Sequence, residues 1–427
     1  MPDRVSGTWT RTDTLALAGA FAIGILIRIV LLPTTGLRDD TDQFAGWVHT
    51  IATGGFATLY GPNPFGMVSF GPVMAYIWAA LAAIAPGFAT VTDAADTSLR
   101  ILLKTPASVA DLGLAVVAVY ALRGRPSWAV VAAAAILLQP ATWYVSAWWG
   151  QYESIYVLPA LVAAVAAARG RNVVAAVLLV VSLLAKPQAI AFIVPFAAWF
   201  WVTGWRREGV RGGVLELTRT AAAGLVTAVV LWWPFLGAGG PLAYLDNLGH
   251  YQNDIFHVLS LRAWNVWWLL QEAAAGGRFI ADDVPFIGPL TLRHIGYAVT
   301  ALFEVVIASA VLRDARPRTL LLALAASTLV FFTFMTQMHE RYAYAAVVFL
   351  MLLLPDPLTR LLAAALAVVV ALDLVAAVPP SPEIGALLPI SGVLGVVGSA
   401  AIVAITLTIV TALWRETRVT GIREATP

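Results

Sequence analysis

Apolar runs of about 20 residues recur along almost the whole chain, and they restrict its fold more than any other feature of the sequence. A helix of that length crosses the hydrocarbon core of a bilayer with every backbone polar group bonded internally. Charged residues make up only 12% of the 427 residues, whereas soluble domains carry about 25%. The pattern therefore predicts an all-α, polytopic membrane protein.

The arginine positions set the predicted topology, because cytoplasmic loops collect Lys and Arg. Pairs such as Arg123/Arg125 and Arg169/Arg171 fall between apolar runs. Placing every such cluster on the cytoplasmic side gives about twelve spans, with both ends of the chain cytoplasmic. Residues 1–427 are predicted to form one membrane domain. The predicted spans are 13–33, 103–122, 127–146, 154–168, 172–185, 188–203, 218–236, 294–312, 318–336, 343–358, 361–378 and 391–414.

The apolar segment Phe70–Pro86 does not fit this count, because a crossing there would move every later arginine cluster to the other side. We expect it to lie as a helix in the outer interface, within a first external loop over residues 34–102. Residues 41–53 place apolar side chains at helical spacing, from Phe44 to Ile51, which predicts a second interfacial helix.

The unusual polar residues gather on the predicted external side, while the internal loops are plain arginine-rich turns. The external groups include three acids within 39–42, "WWGQYES" (148–154), "AKPQ" (185–188), "QMHERY" (337–342) and the second long external loop, 241–293. A chain that only had to sit in lipid would not need this asymmetry. It indicates a functional site that faces outward.

Three carboxylates, Asp39, Asp40 and Asp42, directly follow the first predicted span. Asp40 or Thr41 can cap the helix that starts there. Alternatively, one carboxylate acts as a general base, or the three acids hold Mg²⁺ or Mn²⁺. Because the chain has no cysteine, thiol catalysis and Cys-based metal sites are excluded. We expect no cofactor, with a divalent cation at these acids as the alternative.

Lys186 lies at the outer end of a predicted span, against the positive-inside trend. It either snorkels to the interface or meets an anionic headgroup. His339, Glu340 and Arg341 are consecutive at a predicted helix end, where neighbours point about 100° apart, so only one or two can face a common cavity.

Further candidates are polar or aromatic residues whose side chains suit a sugar, since rings stack on its apolar face and amides bind its hydroxyls. They are Gln151, Glu153, His257, Arg262, Trp264 and Asn265. The loop that contains the last four would equally suit an interfacial helix.

Taken in order, these motifs resemble the GT-C superfamily of integral-membrane glycosyltransferases, and within it bacterial proteins similar to the mannosyltransferases of GPI-anchor synthesis. The similarity extends over most of the chain, to about residue 360. The stretches that carry it are "DDTDQFAGWVHTIATGGFATLY" (39–60), "KTPASVADLGLAVV" (104–117), "WWGQYES" (148–154), "AKPQA" (185–189), "LRAWNVWWLL" (261–270) and "MHERY" (338–342).

The resemblance implies transfer of a sugar, with inversion, from a polyprenyl phosphate to a lipid or glycan acceptor outside the plasma (inner) membrane. It also implies that the base is Asp40, with Asp39 and Asp42 as runners-up. Two departures put the acceptor in doubt: Glu153 stands where the family usually has aspartate, and "SFGP" (69–72) stands where it has Tyr-Pro-Pro.

The chemistry of the leaving group is consistent with this reading. A glycosidase usually needs two carboxyl groups, because its leaving alkoxide must be protonated. A phosphate leaves as a stable anion, so one base and cations at the phosphate suffice. The predicted phosphate-binding residues are Lys186, Arg262, His339 and Arg341. The predicted substrate-binding residues are Gln151, Glu153, His257, Trp264, Asn265 and Glu340.

Two other classes of membrane protein remain as alternatives. A transporter or lipid flippase would need charges near the midplane and helices broken in paired halves, whereas Arg28, Asp111, Glu304 and Asp373 stand isolated in the sequence. A ligase that takes a whole glycan from a lipid diphosphate is the third reading. The net charge of +2 gives no reason to expect a nucleic-acid partner.

Overall fold

The computed structural model describes residues 7–424, so the predicted cytoplasmic ends at 1–6 and 425–427 lie outside it. The structure is 76% helical, and its few short strands form no closed sheet in the described part of the chain. The prediction of an all-α, polytopic membrane protein is confirmed.

The described residues divide into two compact units, each assembled from separate stretches of the chain. The first unit consists of 7–162, 177–189 and 223–251. The second consists of 163–176, 190–222 and 252–424. Three helices contribute residues to both units: α7 (Glu153–Ala167), α8 (Asn172–Leu183) and α9 (Ile193–Trp232).

The remaining helices of the first unit begin with α1, which the Thr10 and Asp13 side chains cap reciprocally. Three others begin with a proline, whose missing N–H is not needed in the first helical turn. These helices are α1 (Arg11–Leu31), α2 (Arg38–Gly54), α3 (Pro72–Ile84), α4 (Thr97–Ala121), α5 (Pro126–Leu138), α6 (Pro140–Trp143) and α10 (Gly240–His250).

Helices α2 and α3, where the sequence predicts interfacial helices, pack through a buried aromatic cluster. Trp47 of α2 lies 5.2 Å from Trp78 of α3, measured between ring centroids. Phe44 lies 4.9 Å from Tyr152, which follows the "WWGQ" motif. The cluster fixes the first loop against the residues that precede α7.

The second unit contains short strands as well as helices. Its further helices are α11 (Val266–Ala275), α12 (Leu292–Arg313), α13 (Pro317–Phe334), α14 (Tyr344–Met351), α15 (Pro357–Ala377), α16 (Pro382–Leu387) and α17 (Val393–Glu424). Its strands are β1 (Ser260–Leu261), β2 (Pro285–Ile287), β3 (Leu290–Thr291) and β4 (Met338–His339). β1 pairs in parallel with β4, and β2 pairs antiparallel with β3.

Each of the twelve predicted spans overlaps a helix of the described residues, and two of them, 188–203 and 218–236, share α9. Within residues 7–424, seven helices are long and apolar enough to cross a membrane, or eight if the bent pair Pro126–Leu138 and Pro140–Trp149 is one span. Helix α9 contains a break at Glu208 and Gly209, where the sequence predicts a cytoplasmic turn. Because α14 has only eight residues, the count of twelve spans stays a prediction.

Glu304 and Asp373, which stand isolated in the sequence, each accept a hydrogen bond from a neutral group of the second unit. Ser327 donates a hydrogen bond of 2.6 Å to Glu304. The backbone N–H of Trp264 donates one of 3.0 Å to Asp373. These carboxyl groups tie helices and loops together.

Candidate active site

Asp40 lies in the first turn of α2, half-buried, and only one of its two carboxylate oxygens is held by the protein. Oδ2 accepts hydrogen bonds from the indole Nε1 of Trp149 at 2.8 Å and the amide Nε2 of Gln151 at 2.5 Å. Oδ1 accepts none from residues 7–424. The carboxylate is thus oriented through one oxygen, Oδ2.

The other two acids have different surroundings. Oδ1 of Asp42 accepts a hydrogen bond of 2.8 Å from the backbone of Ala94, and its Oδ2 pairs with Arg38 at 3.2 Å. Asp42 therefore ties the segment before α4 to α2. Asp39 is exposed. No group of three or more His, Asp or Glu side chains in the described part of the chain is placed to hold a metal ion.

The "WWGQ" motif reaches Asp40 through a π-helical turn, Tyr144–Trp149, that ends at Gly150. Gly150 has φ +99°, and a Cβ there would lie 3.0 Å from Cγ of Lys104. Both the backbone and the available space require glycine. π-Helical turns are frequent at functional sites. Here the turn directs Trp149 and Gln151 at the carboxylate.

Lys104 of α4 supports this turn, a role that the sequence reasoning missed. It is fully buried, and its Nζ donates to the backbone carbonyls of Thr34 at 2.7 Å and Trp148 at 2.6 Å. It thereby joins the start of the first loop to the end of the π-helical turn. The available signal was a lysine inside an apolar span, which is costly unless it has partners.

Arg28 and Asp111 were also expected to be isolated, and that expectation is wrong. Arg28 pairs with Asp111 at 2.7 Å, and both side chains are buried. Ser146, within the π-helical turn, donates a hydrogen bond of 2.5 Å to the same carboxylate. A buried ion pair between α1 and α4 thus also anchors the turn that positions Asp40.

Lys186 and Glu153 form a buried ion pair of 2.5 Å, with side chains 5% and 0% exposed. Snorkelling is therefore wrong as an explanation of Lys186, because its ammonium group does not reach the surface. Lys186 also lies 5.4 Å from the centre of the Phe70 ring, a cation–π distance. Glu153 lies two positions after Gln151, so the pair belongs to the motif that contacts Asp40.

The "MHERY" residues do not lie on a helix, contrary to the prediction. Met338 and His339 form β4, which pairs with Ser260 and Leu261. The expectation that neighbouring side chains point about 100° apart, as on a helix, therefore does not apply to Glu340 and Arg341.

Glu340 is buried between two cationic neighbours. Arg341 donates a hydrogen bond of 2.8 Å to its Oε1, and Nδ1 of His339 lies 3.8 Å from Oε2. Burial alone would raise the pKa of Glu340, but the nearby His339 and Arg341 side chains lower this pKa to about 2. Glu340 thus acts as an anionic anchor for the two basic side chains.

Arg262 lies next to this cluster in the second unit. Its backbone pairs with that of His339, and its guanidinium donates to the carbonyl of Ala377 at 2.8 Å. Arg262 and Gln337 have φ values of +68° and +65°, which non-glycine residues rarely adopt and which cluster at functional sites. Three predicted phosphate-binding residues, Arg262, His339 and Arg341, are therefore close together in the fold.

Trp264 and Asn265 serve the fold, and the structure gives no support for a contact with substrate. Both side chains are fully buried. Oδ1 of Asn265 accepts hydrogen bonds from the backbone of Trp267 and Trp268, which caps α11. The indole of Trp264 donates to the carbonyl of Ile390 at 3.1 Å. His257 is half-buried and stays a candidate.

Most of these residues lie within a part of the chain that matches a known protein family. Residues 72–378, more than half of the chain, match the ALG6, ALG8 glycosyltransferase family. The match includes Gln151, Lys186 and Arg341, whereas Asp40 precedes it. No match is found among curated proteins.

Proposed function

Because the chain belongs to the ALG6, ALG8 glycosyltransferase family of GT-C membrane enzymes, we propose that it transfers a hexose such as mannose from a polyprenyl phosphate to a lipid or glycan. The family makes it a multi-pass membrane glycosyltransferase with a lipid-linked donor. We propose in addition that the donor carries a single phosphate, that the transferred sugar is a hexose, and that the reaction takes place on the extracytoplasmic side of the plasma membrane. The absence of a cofactor is also proposed.

The orientation of Asp40 supports an inverting reaction most directly. Oδ1, which accepts no hydrogen bond within the described chain, takes the proton of the acceptor hydroxyl. The hydroxyl oxygen then forms a bond to the anomeric carbon as the bond to the phosphate oxygen breaks. Attack opposite the leaving group inverts the anomeric centre, and polyprenyl phosphate departs with the electron pair. Asp39 and Asp42 lack this support.

Cations stabilise the departing phosphate in this proposal. Lys186, in the same unit as Asp40, has this proposed role, with Glu153 compensating its charge before the donor binds. Arg262, His339 and Arg341, which are clustered in the second unit, stay predicted phosphate-binding residues. A fixed cation in a partly desolvated site is worth a few kcal/mol to a developing anion.

A donor panel tests the proposed reaction. The purified chain in lipid vesicles would receive polyprenyl-monophosphate hexoses, a polyprenyl-diphosphate glycan or a nucleotide sugar, each with extracted membrane lipid as acceptor. We expect transfer only from a monophosphate, with an inverted anomeric configuration in the product. Turnover with the diphosphate would indicate a ligase instead, and a retained configuration would contradict the role of Asp40.

A further inference from the structure

A β-hairpin in the second external loop exposes apolar side chains that the proposed reaction does not use. It consists of β2, β3 and the turn between them. Phe286, Ile287 and Leu290 are 62%, 64% and 51% exposed. No charged residue occurs from 284 to 292. Large apolar side chains crowded together in this way are unfavourable in water and typical of an interaction surface.

The base of the hairpin is fixed to the first turn of α12. Arg293 of α12 donates two hydrogen bonds to the carboxylate of Asp282, at 3.0 and 2.7 Å. The backbone N–H of Arg293 donates to the carbonyl of Asp282 at 3.0 Å, and Thr336 donates to its carboxylate at 2.6 Å. These hydrogen bonds therefore fix the position of the hairpin relative to the start of α12.

A membrane-spanning α12 would put that position at the membrane surface. Helix α12 is one of the seven helices long and apolar enough to cross a membrane, and it starts directly after β3. Gly288, in the turn, is three residues from Thr291, so it lies within about 10 Å of the helix start. The interfacial layer on each side of a bilayer is roughly 5–8 Å thick. The hairpin therefore cannot extend far from this layer.

We propose that the hairpin inserts Phe286, Ile287 and Leu290 into the interfacial layer of the bilayer beside the start of α12. Lipid is the occupant because α12, which starts directly after the hairpin, also exposes large apolar side chains, among them Leu302 and Val305. The rigid base made by Asp282 and Arg293 sets the depth of insertion. This inference does not depend on the proposed reaction.

Because the chain has no cysteine, single labels can test the insertion. The full chain with Phe286→Cys, or separately Ile287→Cys, would carry a nitroxide spin label in vesicles. Collisions with lipid-soluble oxygen and with a water-soluble nickel chelate would then be compared. Arg278→Cys is the matched control, since Arg278 is exposed in the same loop outside the hairpin.

We expect oxygen to dominate at residues 286 and 287 and the nickel chelate to dominate at residue 278, a several-fold difference in their ratio. Nickel access at 286 and 287 equal to that at 278 would overturn the proposal. Protection from both reagents, with spin–spin broadening between labelled chains, would show a second copy on this surface and also contradict it. Using two label positions covers the failure of one variant to fold.

Discussion

At the scale of single residues, the hydrogen bonds distinguish three acids that the sequence presents together. Asp40 receives the indole of Trp149 and the amide of Gln151, whereas Asp42 is occupied by Ala94 and Arg38. The resemblance to the GT-C superfamily already favours Asp40. The donors could not be predicted, because they come from a turn more than 100 residues later whose π-helical form gives no periodic signal.

Trp149→Phe tests the orientation of Asp40 without removing its charge. The change keeps most of the ring but deletes the hydrogen bond to Oδ2. A hydrogen bond to a charged group is worth about 1.5–3 kcal/mol, so kcat should fall about 10- to 100-fold with KM little changed. Steady-state kinetics with a polyprenyl-phosphate hexose would measure this fall.

Trp148→Phe is the matched control. The Trp148 side chain stacks on Tyr144, while Lys104 uses only its backbone carbonyl. We expect near-normal turnover. An equal loss in both variants would mean that the two tryptophans act only through packing.

The lowered pKa of Glu340 predicts that the stability of the folded protein depends on pH. Its pKa is lowered to about 2 in the folded protein, below the usual value near 4.5. The ionised group therefore contributes its full stabilisation above about pH 4.5 and loses it as the pH falls toward 2. Relative to Glu340→Gln, the original chain should keep a constant advantage from pH 7 to 5 and a shrinking one below. Thermal unfolding in lipid–detergent micelles would measure it, and a shrinking advantage between pH 7 and 5 would contradict the assignment.

At the scale of structural elements, the sequence shows each charge but not its partner. Lys186 and Glu153 are 33 residues apart, and Arg28 and Asp111 are 83 apart. Helical spacing relates only residues three or four positions apart. The same limit explains why "MHERY" was assigned to a helix end: its strand partner, β1, lies far back in the sequence.

A double-mutant cycle tests the buried ion pair. Lys186→Met or Glu153→Leu alone leaves an unpaired buried charge and should cost about 3–5 kcal/mol in the free energy of unfolding. The double variant should recover much of that loss, because both charges are gone. Denaturant unfolding in micelles would supply the four values, and additive losses would contradict direct pairing.

Activity in the same variants separates structure from function. If Lys186 binds the donor phosphate, the double variant should remain inactive even when its stability recovers. Recovered turnover would limit the pair to a structural role.

At the scale of the whole molecule, hydropathy and arginine placement predict the class and the approximate position of every long helix. This works because every backbone polar group in lipid must be bonded within its own helix. The division into two compact units could not be predicted in the same way, since each unit combines distant stretches of chain. The short helices α7 and α8 and the broken α9 are where the span count is most open to test.

Accessibility of two single cysteines tests that count. Gly124→Cys lies in an exposed arginine turn, and Asp283→Cys lies in the predicted second external loop. Five predicted spans separate them, so they should face opposite sides of the membrane. A membrane-impermeant maleimide on intact cells should label residue 283 at once and residue 124 only after permeabilisation. Labelling of both from outside would show that one span in between is wrong.

Turnover of Asp40→Asn with a polyprenyl-phosphate hexose tests the central claim most directly. If Asp40 deprotonates the acceptor, the rate should fall about 10²- to 10⁴-fold with donor binding retained, while Asp39→Asn and Asp42→Asn stay active. Undiminished turnover in Asp40→Asn would contradict the assignment of the base.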